Sequence, residues 1–174
     1  MKGILYEKDF WNISHATANF LNMLIKICNT KNMVEIGTSN GYSGLWFANA
    51  LKQTGGHLTT IEYYEKRIVL AQANFEKFGY SDIITIKQGS ACDILEELDG
   101  QYDFIFIDAN KREYVKNFEI MHPKLVKGGI IAADNINSHR EKVQTFIDAI
   151  DAHPDYQFEI LDLPAGLLVA RKNG

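Results

Sequence analysis

Two short acidic runs carry side chains able to do chemistry: Asp108-Ala109-Asn110-Lys111 and Ala133-Asp134-Asn135. Asp108, Asp134 and Asn135 offer two carboxylates and an amide carbonyl, a hard, oxygen-only set suited to Mg2+ or Ca2+. Two unpaired carboxylates held close would repel, and a bound cation relieves that repulsion. The competing reading is that both aspartates cap helices, a common task at strand ends. Lys111 falls three residues beyond Asp108. A nearby cation and partial burial would both lower its pKa and suit it to act as a general base. Taken alone, it reads as a surface lysine near a helix start.

A second set lies nearer the start of the chain, in Glu35-Ile36-Gly37-Thr38-Ser39-Asn40-Gly41-Tyr42-Ser43. Gly37 and Gly41 permit a tight turn and let a ligand approach the backbone. The helix expected next presents free N–H groups to a carboxylate or phosphate. The spacing is G-x-x-x-G, neither the G-x-G-x-x-G of dinucleotide binders nor a P-loop. Glu62 follows Leu58-Thr59-Thr60-Ile61, 25 residues beyond Gly37. An acid there is placed to accept from ribose hydroxyls, or else to begin a helix, where Glu is favoured.

All these residues sit where strands should end. Apolar runs at Met33 to Ile36, His57 to Ile61, Ile83 to Ile86, Tyr102 to Ile107 and Gly129 to Ala133 read as strands. Between them lie helical patterns: Tyr42 to Leu51, a stretch with Ile68, Ala71, Phe75 and Phe78 on one face, Asp93 to Leu98, and Arg112 to Met121. An amphipathic helix from Ala16 to Cys28, with Ser14 as N-cap, precedes them, and Arg140 to Ile150 follows. Strands apolar on both faces and alternating with helices indicate an α/β fold with a mostly parallel sheet covered on both sides. Tyr156 to Leu161 and Leu167 to Arg171 are joined by five residues. That is too short for a crossover helix, so they should pair as an antiparallel hairpin at one edge. The expected architecture is a doubly wound, Rossmann-like sheet of seven strands ending in that hairpin. In such sheets ligands bind beyond the carboxyl ends of the strands.

The 174 residues suit one domain, with no repeat or linker-like run to divide them. A net charge of −4 argues against a nucleic-acid binder. Cys28 and Cys92 stand far apart and read as free thiols of a reducing compartment. The first residues lack the apolar run of a signal peptide, and no stretch is long enough to span a membrane, so a cytoplasmic protein with no membrane association is expected. The five histidines show no metal-ligand spacing; His139, four residues after Asn135, is placed to reach the same rim or to lie in a surface loop.

Taken together, these residues resemble the metal-dependent class I O-methyltransferases typified by the catechol and caffeoyl-CoA enzymes. The matching stretches are Val34-Glu35-Ile36-Gly37 with Gly41-Tyr42-Ser43, then Glu62, Asp108-Ala109-Asn110-Lys111 with Tyr114, and Gly128-Gly129 leading to Ala133-Asp134-Asn135. They span about Phe20 to Arg171. The resemblance implies S-adenosylmethionine and a divalent cation such as Mg2+ as cofactors, and methyl transfer to a hydroxyl of a small, catechol-like substrate. Glu35, Gly37 and Ser43 would hold the methionine end of the cofactor, Glu62 its ribose, and Ser90 and Ala91 its adenine. Ser39, Gly41, Tyr42, Tyr63 and Asp108 complete the expected cofactor set. Asp108, Asp134 and Asn135 would hold the metal, and Lys111 with Asp108 would be catalytic, Lys111 taking the substrate proton. Since relatives of this family act on tRNA, a tRNA hydroxyl is the alternative acceptor, disfavoured by the acidic charge and the lack of Lys/Arg clusters.

Two departures matter. Asn110 stands where catechol enzymes carry a tryptophan, and the first 15 residues replace a longer extension. That segment, with Tyr6, Phe10 and Trp11, has three readings: a remnant lid, a homodimer contact, or core packing. No long inserted loop follows the fifth strand, so a shallow, open site is expected, one that a second subunit could complete.

Overall fold

The computed structural model describes residues 12–174; of the first segment, Tyr6, Phe10 and Trp11 lie outside the described residues, while Ile13 is buried in the core. Helix α1 (His15–Ile27) begins at Ser14, whose hydroxyl accepts from the Thr17 amide at 3.0 Å. The chain then alternates: β1 (Asn32–Ile36), α2 (Tyr42–Thr54), β2 (His57–Glu62), α3 (Glu65–Phe78), β3 (Ile84–Gln88), α4 (Ala91–Glu97), β4 (Tyr102–Ile107), α5 (Tyr114–Met121), β5 (Leu125–Ala133), α6 (Arg140–Asp151), β6 (Tyr156–Leu161) and β7 (Leu167–Lys172). Short 3-10 turns at Lys111–Glu113 and His122–Lys124 flank α5.

The seven strands form one sheet in the order β3-β2-β1-β4-β5-β7-β6. Pairing is parallel from β3 through β5 and antiparallel where β7 meets β5 and β6. This is the Rossmann-like methyltransferase fold. Because successive side chains of a strand face opposite ways, two cores form. Met33, Phe104, Phe106 and Ala132 pack under α1, α2 and α3, while Val34, Ile36, Ile105 and Ile107 pack under α5 and α6. On α6 the predicted stripe of Val143, Phe146, Ile147 and Ile150 is the buried face.

Order reverses between β1 and β4: the chain builds β2 and β3 on one side and returns to place β4 on the other. The loops leaving β1 and β4 therefore diverge and open a crevice. Strand ends around it are fastened together. The Gly37 amide donates to the Ile61 carbonyl at 3.0 Å, the Asp108 amide to Ile36 at 2.9 Å, and the Asp134 amide to Ile107 at 3.1 Å.

Element boundaries depart from the sequence pattern at several places, among them the starts of β5 and α4. β5 begins at Leu125 and not at Gly129, with left-handed Gly128 (φ +79°) inside the strand and a register shift opposite Tyr102/Phe104. Gly128, one residue ahead of the expected strand start, is accommodated as an irregularity in the ladder. α4 begins at Ala91 and not at Asp93, directly after Ser90. No helix among the described residues is long and apolar enough to cross a membrane.

Candidate active site

A cavity of about 1210 Å³ opens over the carboxyl ends of the strands. Gly37, Ser39, Ser43, Glu62, Tyr63, Ser90, Ala91, Asp108, Lys111 and Asn135 all line it. The sequence-predicted residues Glu35, Gly41, Tyr42 and Asp134 do not; they stand behind its surface. The volume exceeds that of a pocket for one drug-sized molecule. Its walls also draw on Asn12 and Ile13, at the end of the first segment, and on Ala165 in the turn between β6 and β7, none of which the sequence pattern marked as a site residue.

Gly37 is fixed by contact as well as by conformation. Its φ is +105°, and a Cβ there would stand 2.3 Å from the Asp108 carbonyl oxygen. Only glycine lets the ends of β1 and β4 meet so closely. Ser39 also adopts the left-handed region, with φ +51°, and its amide donates to Glu62 Oε2 at 2.9 Å. The amides of Tyr63 and Tyr64 donate to Oε1 at 2.9 and 3.0 Å. With roughly four lone-pair sites on a carboxylate, Glu62 keeps an acceptor site on Oε2 for a hydroxyl in the cavity. Its three amide bonds hold that oxygen in place.

Glu35 is fully buried. The Ser43 hydroxyl donates to its Oε1 and the Thr60 hydroxyl to Oε2, at 2.6 Å for the latter. Thr38 joins through a 2.6 Å bond between its hydroxyl and that of Thr60. Burial pushes the Glu35 carboxyl up to about 8, against the opposing effect of the two hydroxyl donors. It is thus a largely neutral group tying β1, β2 and the first turn of α2 together beneath Ser43.

The other wall is acidic chemistry of a different kind. Lys111 Nζ donates to Asp108 Oδ1 at 2.8 Å, both side chains being about one-sixth exposed (16% and 17%). The ammonium also lies 5.4 Å from the centroid of the Tyr114 ring, and the Tyr114 hydroxyl donates to the Asp134 carbonyl at 3.1 Å. Burial raises the Asp108 carboxyl, with the Lys111 ammonium opposing. Asp134, 2% exposed, is pushed up to about 7 by burial and then by the charge of Asp108. Its Oδ1 is buried with no hydrogen-bond partner. An orphaned carboxylate oxygen in the field of a second carboxylate is an arrangement that a cation would satisfy. Among the described residues no three His, Cys, Asp or Glu side chains gather in metal-ligating geometry. A cation here would therefore be held by two carboxylates and the Asn135 amide, a hard donor set that fits Mg2+.

Asn135 is left-handed (φ +64°), and His139 lines the cavity. Asn110 caps the 3-10 turn, accepting from the Arg112 amide at 3.3 Å and donating to Glu113 at 2.9 Å. Arg67, Arg112 and Lys142 add three cations to the lining. The sequence pattern gave no sign of them, although Arg67 follows Tyr64 by one helical turn and packs its guanidinium 5.0 Å from that ring's centroid.

A methyltransferase fold with a glycine-supported loop, a fixed acid after β2 and a carboxylate pair after β4 and β5 defines the class. The O-methyltransferase family model matches residues 6–160, and the chain belongs to that family. The catechol O-methyltransferase of Niastella koreensis is 39% identical over 129 residues, which cover 72% of this chain and 58% of that protein. The chain thus spans less than two thirds of that relative's length. Caffeoyl-CoA O-methyltransferase 1 of Arabidopsis thaliana is 32% identical over an alignment of 193 positions covering 95% of this chain and 74% of that one. The O-methyltransferase of Bacillus cereus, solved in complex with SAH, superposes with a TM-score of 0.87 at 27% identity, covering 93% of this chain and 83% of that one.

Proposed function

We propose that this chain is an S-adenosylmethionine-dependent O-methyltransferase that uses a divalent cation to methylate a hydroxyl of a small, catechol-like acceptor. The observation that carries the reading is the unpartnered Asp134 Oδ1 near the Asp108–Lys111 pair, a pair that shares its cavity with the Gly37–Ser43 loop and Glu62. The names of the Niastella and Arabidopsis relatives support methyl transfer to a hydroxyl oxygen, and the SAH complex of the Bacillus protein supports the cofactor.

S-adenosylmethionine, when bound, supplies an already activated sulfonium methyl, so the protein's main task is alignment. A divalent cation held by Asp108, Asp134 and Asn135 supplies Lewis acidity toward a hydroxyl oxygen. The chain's residues do the rest. Gly37, Ser39 and Ser43 bind the methionine end, with Glu35 setting the Ser43 hydroxyl from behind. Glu62 would accept from the ribose through Oε2, and Tyr63, Ser90 and Ala91 of the cavity lining would hold the adenine. Lys111 Nζ, tethered at Asp108 and lining the cavity, is the group placed to take the acceptor's proton as general base. Arg112 and Lys142 add two cations to the lining of the same cavity.

Calorimetry with SAH and assays of methyl transfer to a catechol panel, with Mg2+ and with EDTA, test the reading. Turnover that needs the metal and is abolished in Asp134→Ala is expected. Full turnover by Asp134→Ala in EDTA would refute the metal's part.

A further inference from the structure

The loop that carries Asp134 and Asn135 does not hold its own shape. β5 ends at Ala133, whose partner in β7 is Leu168. Immediately beyond, three successive amides of the loop find their acceptors outside it. Ile136 donates to the Gly166 carbonyl at 3.1 Å, and Asn137 and Ser138 both donate to the Ala165 carbonyl, at 2.9 and 3.1 Å. Only after these does the loop turn on itself, with the His139 amide donating to Asn135 at 3.1 Å.

The two residues that provide those carbonyls are themselves in an unusual state. Ala165 (φ +70°) and Gly166 (φ +79°) are consecutive left-handed residues, and a non-glycine residue there is strained. Closing the turn needs the Gly166 amide on the Leu163 carbonyl at 2.7 Å. It does not need either outward carbonyl to serve another loop. The contact is also tight: a Cβ on Gly166 would stand 2.6 Å from both the Asn137 amide nitrogen and its Cγ. Ala165 meanwhile lines the cavity.

We propose that the Leu163–Gly166 turn is a latch that sets the Asp134–Asn135 pair in its cation-holding geometry, making Ala165 and Gly166 positioning residues for the site. This rests on the reading of Asp134 as a cation ligand. The turn fixes the loop's three free amides, the loop's path fixes the left-handed backbone of Asn135, and that backbone orients the two donors. Groups that orient metal ligands in this way commonly contribute about 10- to 100-fold in metal affinity.

Mn2+ serves as the probe, titrated by electron paramagnetic resonance at saturating SAH against the unmodified protein, Gly166→Ala and Asp134→Ala, with SAH affinity measured by calorimetry. Gly166→Ala is expected to weaken Mn2+ binding about tenfold or more while SAH affinity stays within threefold. Asp134→Ala should lose Mn2+ binding. If Gly166→Ala keeps Mn2+ affinity within threefold while Asp134→Ala loses it, the latch is refuted and the ligand reading stands. Equal weakening of Mn2+ and SAH by Gly166→Ala also refutes the latch, as general damage to the fold. If Asp134→Ala binds Mn2+ as well as the unmodified protein, the ligand reading falls and the latch with it. Should Gly166→Ala yield no folded protein, amide exchange on the unmodified chain decides. Slow exchange at Ile136, Asn137 and Ser138, slower still with Mg2+, supports the latch; rates unaffected by Mg2+ overturn it.

Discussion

Glu35→Gln should make the protein more stable at alkaline pH while changing little in acid. The Glu35 carboxyl moves from 4.5 to about 8 on burial, so between those values the folded chain binds a proton that the unfolded chain releases. Stability from this group is complete below pH 4.5 and is lost as pH rises through 8. At about 1.36 kcal/mol per pH unit, the full loss is on the order of 5 kcal/mol. Between pH 5.5 and 9 about 3 kcal/mol of it falls within reach, roughly 6–12 °C in Tm for a chain of this size. Glutamine has nearly the same shape and never ionises, and the Ser43 and Thr60 hydroxyls can rotate to accept from its amide. Calorimetric melts of both proteins across that pH range isolate the effect, because every other titrating group cancels in the difference. The gap in Tm should move steadily in favour of Glu35→Gln as pH rises. A gap constant from pH 5.5 to 9 would refute the claim that Glu35 is held neutral.

Lys111→Met should lower kcat by about 10²- to 10⁴-fold with SAH affinity within threefold. Lys111→Arg should fail to rescue it, since a guanidinium stays protonated; full turnover by either variant would end the role of Lys111 as base. Gly37→Ala places a Cβ against the Asp108 carbonyl at positive φ and should destabilise the fold by at least about 2 kcal/mol while abolishing SAH binding, read by denaturant melts and calorimetry. Lys124 Nζ donates to the Leu95 and Leu98 carbonyls, each at 2.6 Å, and to Glu96 at 3.1 Å, closing the end of α4. Lys124→Met should therefore lose about 1–2 kcal/mol in urea melts and leave SAH affinity unchanged.

What could be read from the sequence was what periodicity and strand ends control. Val34-Glu35-Ile36-Gly37 and the apolar run ending at Asp108 located β1 and β4, and with them the crevice. Side-chain direction was not legible in the same way. Glu35 alternates out of phase with Val34 and Ile36, so it faces the core beneath α2 and meets Ser43 and Thr60 instead of the cavity. The hairpin was legible from its five-residue connection, but its inner strand was not assigned. The signal existed: Leu167-Leu168-Val169-Ala170 is continuously apolar, as a strand flanked on both sides should be, whereas Tyr156-Gln157-Phe158-Glu159 alternates like an edge. The support that Ala165 and Gly166 give to residues 136–138 left no mark, because a carbonyl acceptor is common to every residue type.

Placing β7 between β5 and β6 has a consequence for how the molecule comes into being. A chain emerging from the ribosome can pair β1 with β2 and β2 with β3 as each strand appears, while β4 reaches back about 70 positions to β1 and β5 then adds to β4. β5 nevertheless keeps one bare edge until residues 167–172 arrive, some 40 positions after its own start at Leu125. Until then its unpaired amides and carbonyls are a template for intermolecular pairing. The half of the sheet that carries Asp108 and Asp134 is therefore closed only when β7 is in place.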